Sequence, residues 1–95
     1  MNIYVSDDAA KWYEEELDVA NGDSVRFYVR YGGNSTIQSG FSLGVQVESP
    51  ESAAASITKN GINYFIEEID VWYFDSHDLY ISMDDALNEP VFAYK

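Results

Sequence analysis

The chain has 95 residues, 46% of them hydrophobic and 16% aromatic, with no cysteine; 17 acidic against 5 basic side chains give a formal charge of −12. Scaling from 10.8 kDa gives a folded surface of roughly 5,500 Å² against about 15,700 Å² unfolded, enough burial for a core, so one domain over residues 1–95 is expected. Disulfide scaffolds, zinc ribbons and cysteine-held clusters are excluded, and the negative field opposes binding to nucleic acid phosphates.

No window reaches the roughly 18 apolar residues of a membrane span. The opening Met1-Asn-Ile-Tyr-Val-Ser-Asp-Asp8 lacks the basic and apolar stretches of a signal peptide. A cytoplasmic protein without a membrane or nucleic acid partner is expected.

Ile3, Tyr4 and Val5 read as a first strand. Ser6 is placed to cap a helix, with Asp7 and Asp8 in a first turn whose dipole favours negative charge. Ala9, Tyr13 and Leu17 recur every four residues and Trp12 broadens the stripe, which predicts an amphipathic helix over about 7–20, ended by Asn21-Gly22. Lys11 and Glu15 are spaced to pair on it. Glu14, Glu15, Glu16 and Asp18 crowd its C-terminal end, where the dipole opposes them.

Val25, Phe27, Val29 and Tyr31 alternate with Arg26, Tyr28 and Arg30, and Phe41, Leu43, Val45 and Val47 alternate with Ser42, Gly44 and Gln46. These two runs predict an antiparallel hairpin joined by a long, mobile loop over 32–40. Phe27, Val29, Leu43 and Val45 are the expected inward face. Residues 48–56, around Pro50, read as loop. Residues 57–66 read as a hairpin turning at Asn60-Gly61. Residues 67–74 fit either a short helix or a strand. Leu79, Ile81 and Met83 mark another strand, 84–90 a turn, and 91–94 a last strand. The sum is an α+β domain, mainly antiparallel, with six or seven strands and one N-terminal helix.

Few residues carry chemistry. His77, the only histidine, stands in Asp75-Ser-His-Asp78. Such a pairing supports general-base work or metal binding, but with no second histidine or cysteine a solvated turn is expected. Glu67, Glu68 and Asp70 can attract a hard cation, though they lack the spacing of a calcium loop, and a solvated helix start is the plainer reading. Gly32-Gly33-Asn34-Ser35-Thr36 can turn backbone N–H groups toward an anion, without the lysine of a phosphate loop. Arg26 and Arg30 share a strand face, suited to an anionic ligand or, more simply, to pairing with helix carboxylates. Trp12, Trp72 and Tyr73 are expected in the core.

The order of these pieces resembles the HesB-like domain family, the A-type carriers of iron–sulfur cluster assembly. The resemblance rests on Ile3-Tyr-Val-Ser-Asp-Asp-Ala-Ala-Lys-Trp12 leading into a helix and on Val25-Arg-Phe-Tyr-Val-Arg-Tyr-Gly-Gly-Asn-Ser35 as the strand before the family's glycine–cysteine loop. Gly40-Phe-Ser-Leu-Gly-Val45 and Asp78-Leu-Tyr-Ile-Ser-Met83 complete it. It implies a HesB-like fold in a branch without the cysteine ligands. Asn34 stands at the first ligand position, and the chain stops at Lys95 with no Cys-x-Cys pair. A neutral, hard amide is a poor iron ligand, so no cluster, metal or other cofactor is expected.

Together these features imply a non-enzymatic protein working through protein contacts, accessory to cluster assembly, with Gly33, Asn34 and Ser35 as its binding residues. A second reading is an acidic protein that binds a basic protein surface.

Overall fold

The computed structural model describes all residues, Met1–Lys95. The chain runs β1 (Ile3–Val5), α1 (Asp7–Leu17), β2 (Ser24–Asn34), β3 (Ser39–Val47), β4 (Ala53–Lys59) and β5 (Ile62–Glu67). A 3-10 helix (Glu68–Phe74), β6 (Leu79–Asp84) and β7 (Glu89–Tyr94) complete it. This is a small α+β fold with two mixed sheets, ordered β1-β6-β7 and β3-β2-β5-β4. The folded surface is 5507 Å², as mass scaling leads one to expect.

Short-range signals place most elements. Ser6 Oγ accepts from the Ala9 N–H at 3.2 Å and caps α1. Its hydroxyl also bonds the exposed Asp8 carboxylate, which holds that group below the usual carboxylate range. The helix stops at Leu17 rather than near residue 20. Asp18 takes the left-handed conformation, φ 51°, and its N–H returns to the Glu14 carbonyl. That turn sends Val19 into the core, and it leaves the crowded acids on a shorter helix with no basic residue in its last turn. Lys11 and Glu15 form no ion pair; Lys59 instead reaches Asp7 at 2.6 Å.

The β2–β3 hairpin is in the expected register, with Phe27 opposite Val45 and Val29 opposite Leu43. Its strands run further than the alternation suggested. Gly32 and Gly33, with φ of 109° and 70°, absorb a bulge between Tyr31 and Asn34, after which Asn34 pairs with Ser39. The expected nine-residue loop shrinks to Ser35–Gln38. Strand β4 starts at Ala53, inside a stretch read as loop, because Ala53 and Ala55 pair with Glu67 and Ile66. Asn60 and Gly61, both with positive φ, turn β4 into β5. The ambiguous segment after β5 is the 3-10 helix.

Two parallel pairings tie distant parts together. β1 lies beside β6, Ile3 opposite Leu79, and β2 beside β5, Val25 opposite Tyr64. The sheets share no ladder; side chains join them. Phe27 packs its ring against Tyr13 of α1, Tyr64 of β5 and Phe92 of β7, at centroid distances of 5.5, 6.3 and 6.0 Å. Around it Ile3, Val5, Ile62, Ile66, Tyr73, Phe74, Leu79 and Ile81 complete the core. Val29, Leu43 and Val45 pack on its margin. No helix is long and apolar enough to cross a membrane.

Phe27→Ala is expected to destabilise by about 3–5 kcal/mol, through lost burial and a cavity that four elements cannot collapse to fill. Exposed Arg30→Ala is expected to change stability by no more than about 0.5 kcal/mol. Urea melts showing equal losses would place the core elsewhere.

Burial raises the pKa of Tyr13 and Tyr94 and brings that of Tyr64 up to about 12. Unfolded tyrosine titrates near about 10. The native state therefore disfavours phenolate. Stability from this source is complete below pH ~10 and is lost as pH rises toward the native values. In a titration followed by phenolate absorbance and circular dichroism, Tyr13, Tyr64 and Tyr94 should remain un-ionised in the native protein as pH passes ~10. Complete ionisation near pH ~10 with native dichroism would contradict this packing.

Candidate functional site

The residues picked from sequence at the hairpin tip are brought together, but their polar groups are turned inward on the turn itself. Asn34 Oδ1 accepts from the Gly40 N–H at 3.2 Å. Ser35 Oγ accepts from the Gln38 N–H at 3.0 Å and donates to the Gln38 carbonyl at 3.1 Å. Gly33 sits in the bulge beside Ser42. The tip lies along β7, where Asn34, Ser35 and Thr36 face Pro90, Val91, Phe92 and Tyr94 across a shallow cleft. Ile37 packs on the core.

The acidic cluster is not a solvated helix start. Glu67 is buried, and its two carboxylate oxygens accept from the Glu51 and Ser52 N–H groups, each at 2.7 Å. That bidentate grip fastens the β3–β4 connection to the end of β5. Buried Asp70 accepts from Arg26 at 2.9 Å, and Glu48 accepts from the other Arg26 terminal nitrogen at 2.8 Å. Burial alone would weaken the Arg26 cation; its bonds to Asp70 and Glu48 outweigh that and raise its pKa. Arg26 Nε is buried without a partner. Of the carboxylates, only Glu68 stays exposed as expected.

Arg26 thus pairs inside the molecule, though not with α1, the helix whose carboxylates were to hand in sequence. Arg30 forms no ion pair and lies with Tyr28 over Gly44 on β3. His77 Nδ1 is 3.0 Å from the Phe74 carbonyl and its N–H donates to the same oxygen at 2.8 Å, so it closes the 3-10 helix. No three His, Cys, Asp or Glu side chains converge to hold a metal ion.

One feature is not legible in the residue pattern. Tyr73 is in the core, and Trp12 is half-buried, but Trp72 is 53% exposed. Its ring meets Phe41 edge-on at 5.2 Å, and Phe41 meets Tyr31 edge-on at 5.6 Å. Tyr31 is 92% exposed, and Ile69, one 3-10 turn before Trp72, is 74% exposed. Helical spacing led to the core as the place for Trp72. The 3-10 period of three instead turns Tyr73 and Phe74 inward and leaves Ile69 and Trp72 outside. The result is an apolar ridge from the hairpin to the 3-10 helix. Beside it is a cleft of about 380 Å³ where Ile69 meets Arg26, Glu48, Glu51 and Glu67.

The chain is 53% identical to a Bacillus subtilis (strain 168) protein named Pyruvate dehydrogenase inhibitor, over 95 residues and all of both chains. It is 37% identical over 98 residues, again the whole of both, to an uncharacterised protein of Staphylococcus saprophyticus. It is 31% identical over 96 residues to one of Staphylococcus haemolyticus, covering 98% of this chain and 97% of that one. No family model and no solved structure matches. These relatives overturn the resemblance to the HesB-like family and its link to iron–sulfur cluster assembly. That resemblance rested on the order of elements and on a glycine loop, and residues 32–34 belong to strand β2.

Asp70→Ala removes one of two counter-charges from a mostly buried arginine, and is expected to cost about 2–3 kcal/mol in urea denaturation. Glu68→Ala, two residues earlier and exposed, should stay within about 0.5 kcal/mol. Equal losses would mean that the Arg26–Asp70 pair holds the 3-10 helix no more firmly than a surface side chain does.

Proposed function

This chain belongs to the family of the Bacillus subtilis protein named Pyruvate dehydrogenase inhibitor, and we propose that it is likewise a non-catalytic inhibitor, acting as one domain by binding pyruvate dehydrogenase. The observation that carries this reading is 53% identity with no truncation of either chain.

The physical features agree with a protein-binding role. His77, Arg26, Glu67 and Asp70, the side chains suited to proton transfer or anion binding, each hold backbone or one another in place. The surface instead offers exposed aromatic rings and a charge of −12. Such a charge repels acidic surfaces and speeds approach to basic ones. The expected basic protein surface is thereby joined to a named class of partner.

Adding the purified chain to purified pyruvate dehydrogenase should lower the rate of pyruvate oxidation in a dose-dependent, saturable way. Raising ionic strength from about 0.01 M to about 0.15 M shortens the Debye length from about 30 to about 8 Å and should slow the onset of inhibition. An unchanged rate with the chain in large molar excess would refute the reading.

A further inference from the structure

We infer that the ridge of Tyr31, Phe41, Trp72 and Ile69 is the face by which this chain docks on pyruvate dehydrogenase, seated in an apolar recess whose rim carries lysine and arginine. The inference rests on the inhibitor reading above and adds to it the contact surface and the chemistry of its counterpart.

Three of the four ridge side chains, Tyr31, Ile69 and Trp72, are exposed, Phe41 is half-buried, and all four stand on strands or helix. Tyr31 and Phe41 are directly opposite each other in the β2–β3 ladder, so their backbones are fixed up to the bulge. Trp72 stands on a helix anchored from below by fully buried Tyr73 and Phe74 and from the side by the Arg26–Asp70 bond. Aromatic side chains presented on a fixed backbone lose little freedom on binding. Tyrosine and tryptophan are also the residues most often found to dominate interface energetics.

The surroundings of the ridge decide the partner's chemistry. Glu68 at the start of the 3-10 helix and Asp75 just past its end are exposed, and Glu48 and Glu51 line the cleft beside Ile69. The cation nearest in that cleft, Arg26, is already neutralised by Glu48 and Asp70. Arg30, next to Tyr31 in sequence, points to the opposite face of the strand, over Gly44. An apolar centre with an acidic rim calls for an apolar recess with a basic rim. A second copy of this chain is a poor fit, since acid would face acid between two molecules of charge −12.

The test measures affinity of purified pyruvate dehydrogenase for the chain and for Tyr31→Ala, Ile69→Ala and Trp72→Ala, with melting temperatures and sedimentation of each. Leu87→Ala, 63% exposed in the β6–β7 turn, is the control for exposed apolar surface elsewhere. Tyr31→Ala and Trp72→Ala should each weaken binding at least about tenfold. Tyr31→Ala and Ile69→Ala are expected to melt within about 2 °C of the parent; they keep the test valid should Trp72→Ala unfold. Leu87→Ala should bind like the parent, and Glu68→Lys should slow association while leaving dissociation nearly unchanged. If the parent inhibits and the ridge variants bind as tightly, the ridge is not the docking face and the inhibitor reading stands. If the parent neither binds nor inhibits, both fall. A parent that sediments as a dimer, converted to monomer by Trp72→Ala, would overturn the inference in favour of self-pairing.

Discussion

Phe27 joins parts of the chain that share no hydrogen-bond ladder. Its ring touches α1, β5 and β7 through Tyr13, Tyr64 and Phe92, and so couples the helix and both sheets. Backbone ladders fix strands within a sheet but say nothing of how one sheet faces another. That relation comes from apolar burial, which is large for aromatic side chains and non-directional. The directional bonds at the core's edges, Tyr64 Oη to the Ala10 carbonyl at 3.3 Å and the Tyr73–Tyr94 hydroxyl contact at 3.1 Å, then select one arrangement from those that burial allows.

A second constraint sits at the far end of β5. An acidic chain must keep its carboxylates apart or give them partners. Two of them, Glu67 and Asp70, are buried there with their oxygens on backbone N–H groups and on Arg26. The cost of burying these charges is offset only because the bonds are short and paired. The consequence is geometric. Glu67 fixes the β3–β4 connection, Asp70 fixes the 3-10 helix beside β2, and Trp72 is thereby brought against Phe41. The exposed ridge is thus a product of the buried charges beneath it.

Net charge and exposed aromatic side chains act at different ranges. Charge on the outside governs long-range approach and falls off with salt. Rigid aromatic side chains govern what happens on contact, where shape and dehydration dominate. The hairpin tip, which has the composition of a mobile loop, closes its own hydrogen bonds through Asn34 and Ser35 and rests along β7. Composition alone overstated its length because it could not show the bulge that lets the strands continue.

What the sequence determined by itself were the features set by short-range physics. The Ser6 cap, the strand alternation of 25–31 and 41–47 and the Asn60-Gly61 turn arise from residues within a few positions of one another, and the net negative charge is a plain sum over the chain. The α+β class comes from adding these. The tertiary structure decided whatever depends on partners distant in sequence. β1 pairs with β6 in parallel, Arg26 finds Asp70 forty-four positions away, and β4 begins early because β5 offers it a ladder. The 3-10 helix is the clearest case. Residues 67–74 carry both helical and strand character, and an apolar residue at 72 reads as core at helical spacing. Only the burial of Tyr73 and Phe74 against Tyr94, together with the anchoring of Asp70, turns Trp72 outward. Spacing along a chain encodes which side chains share a face; which face meets the core is settled by packing.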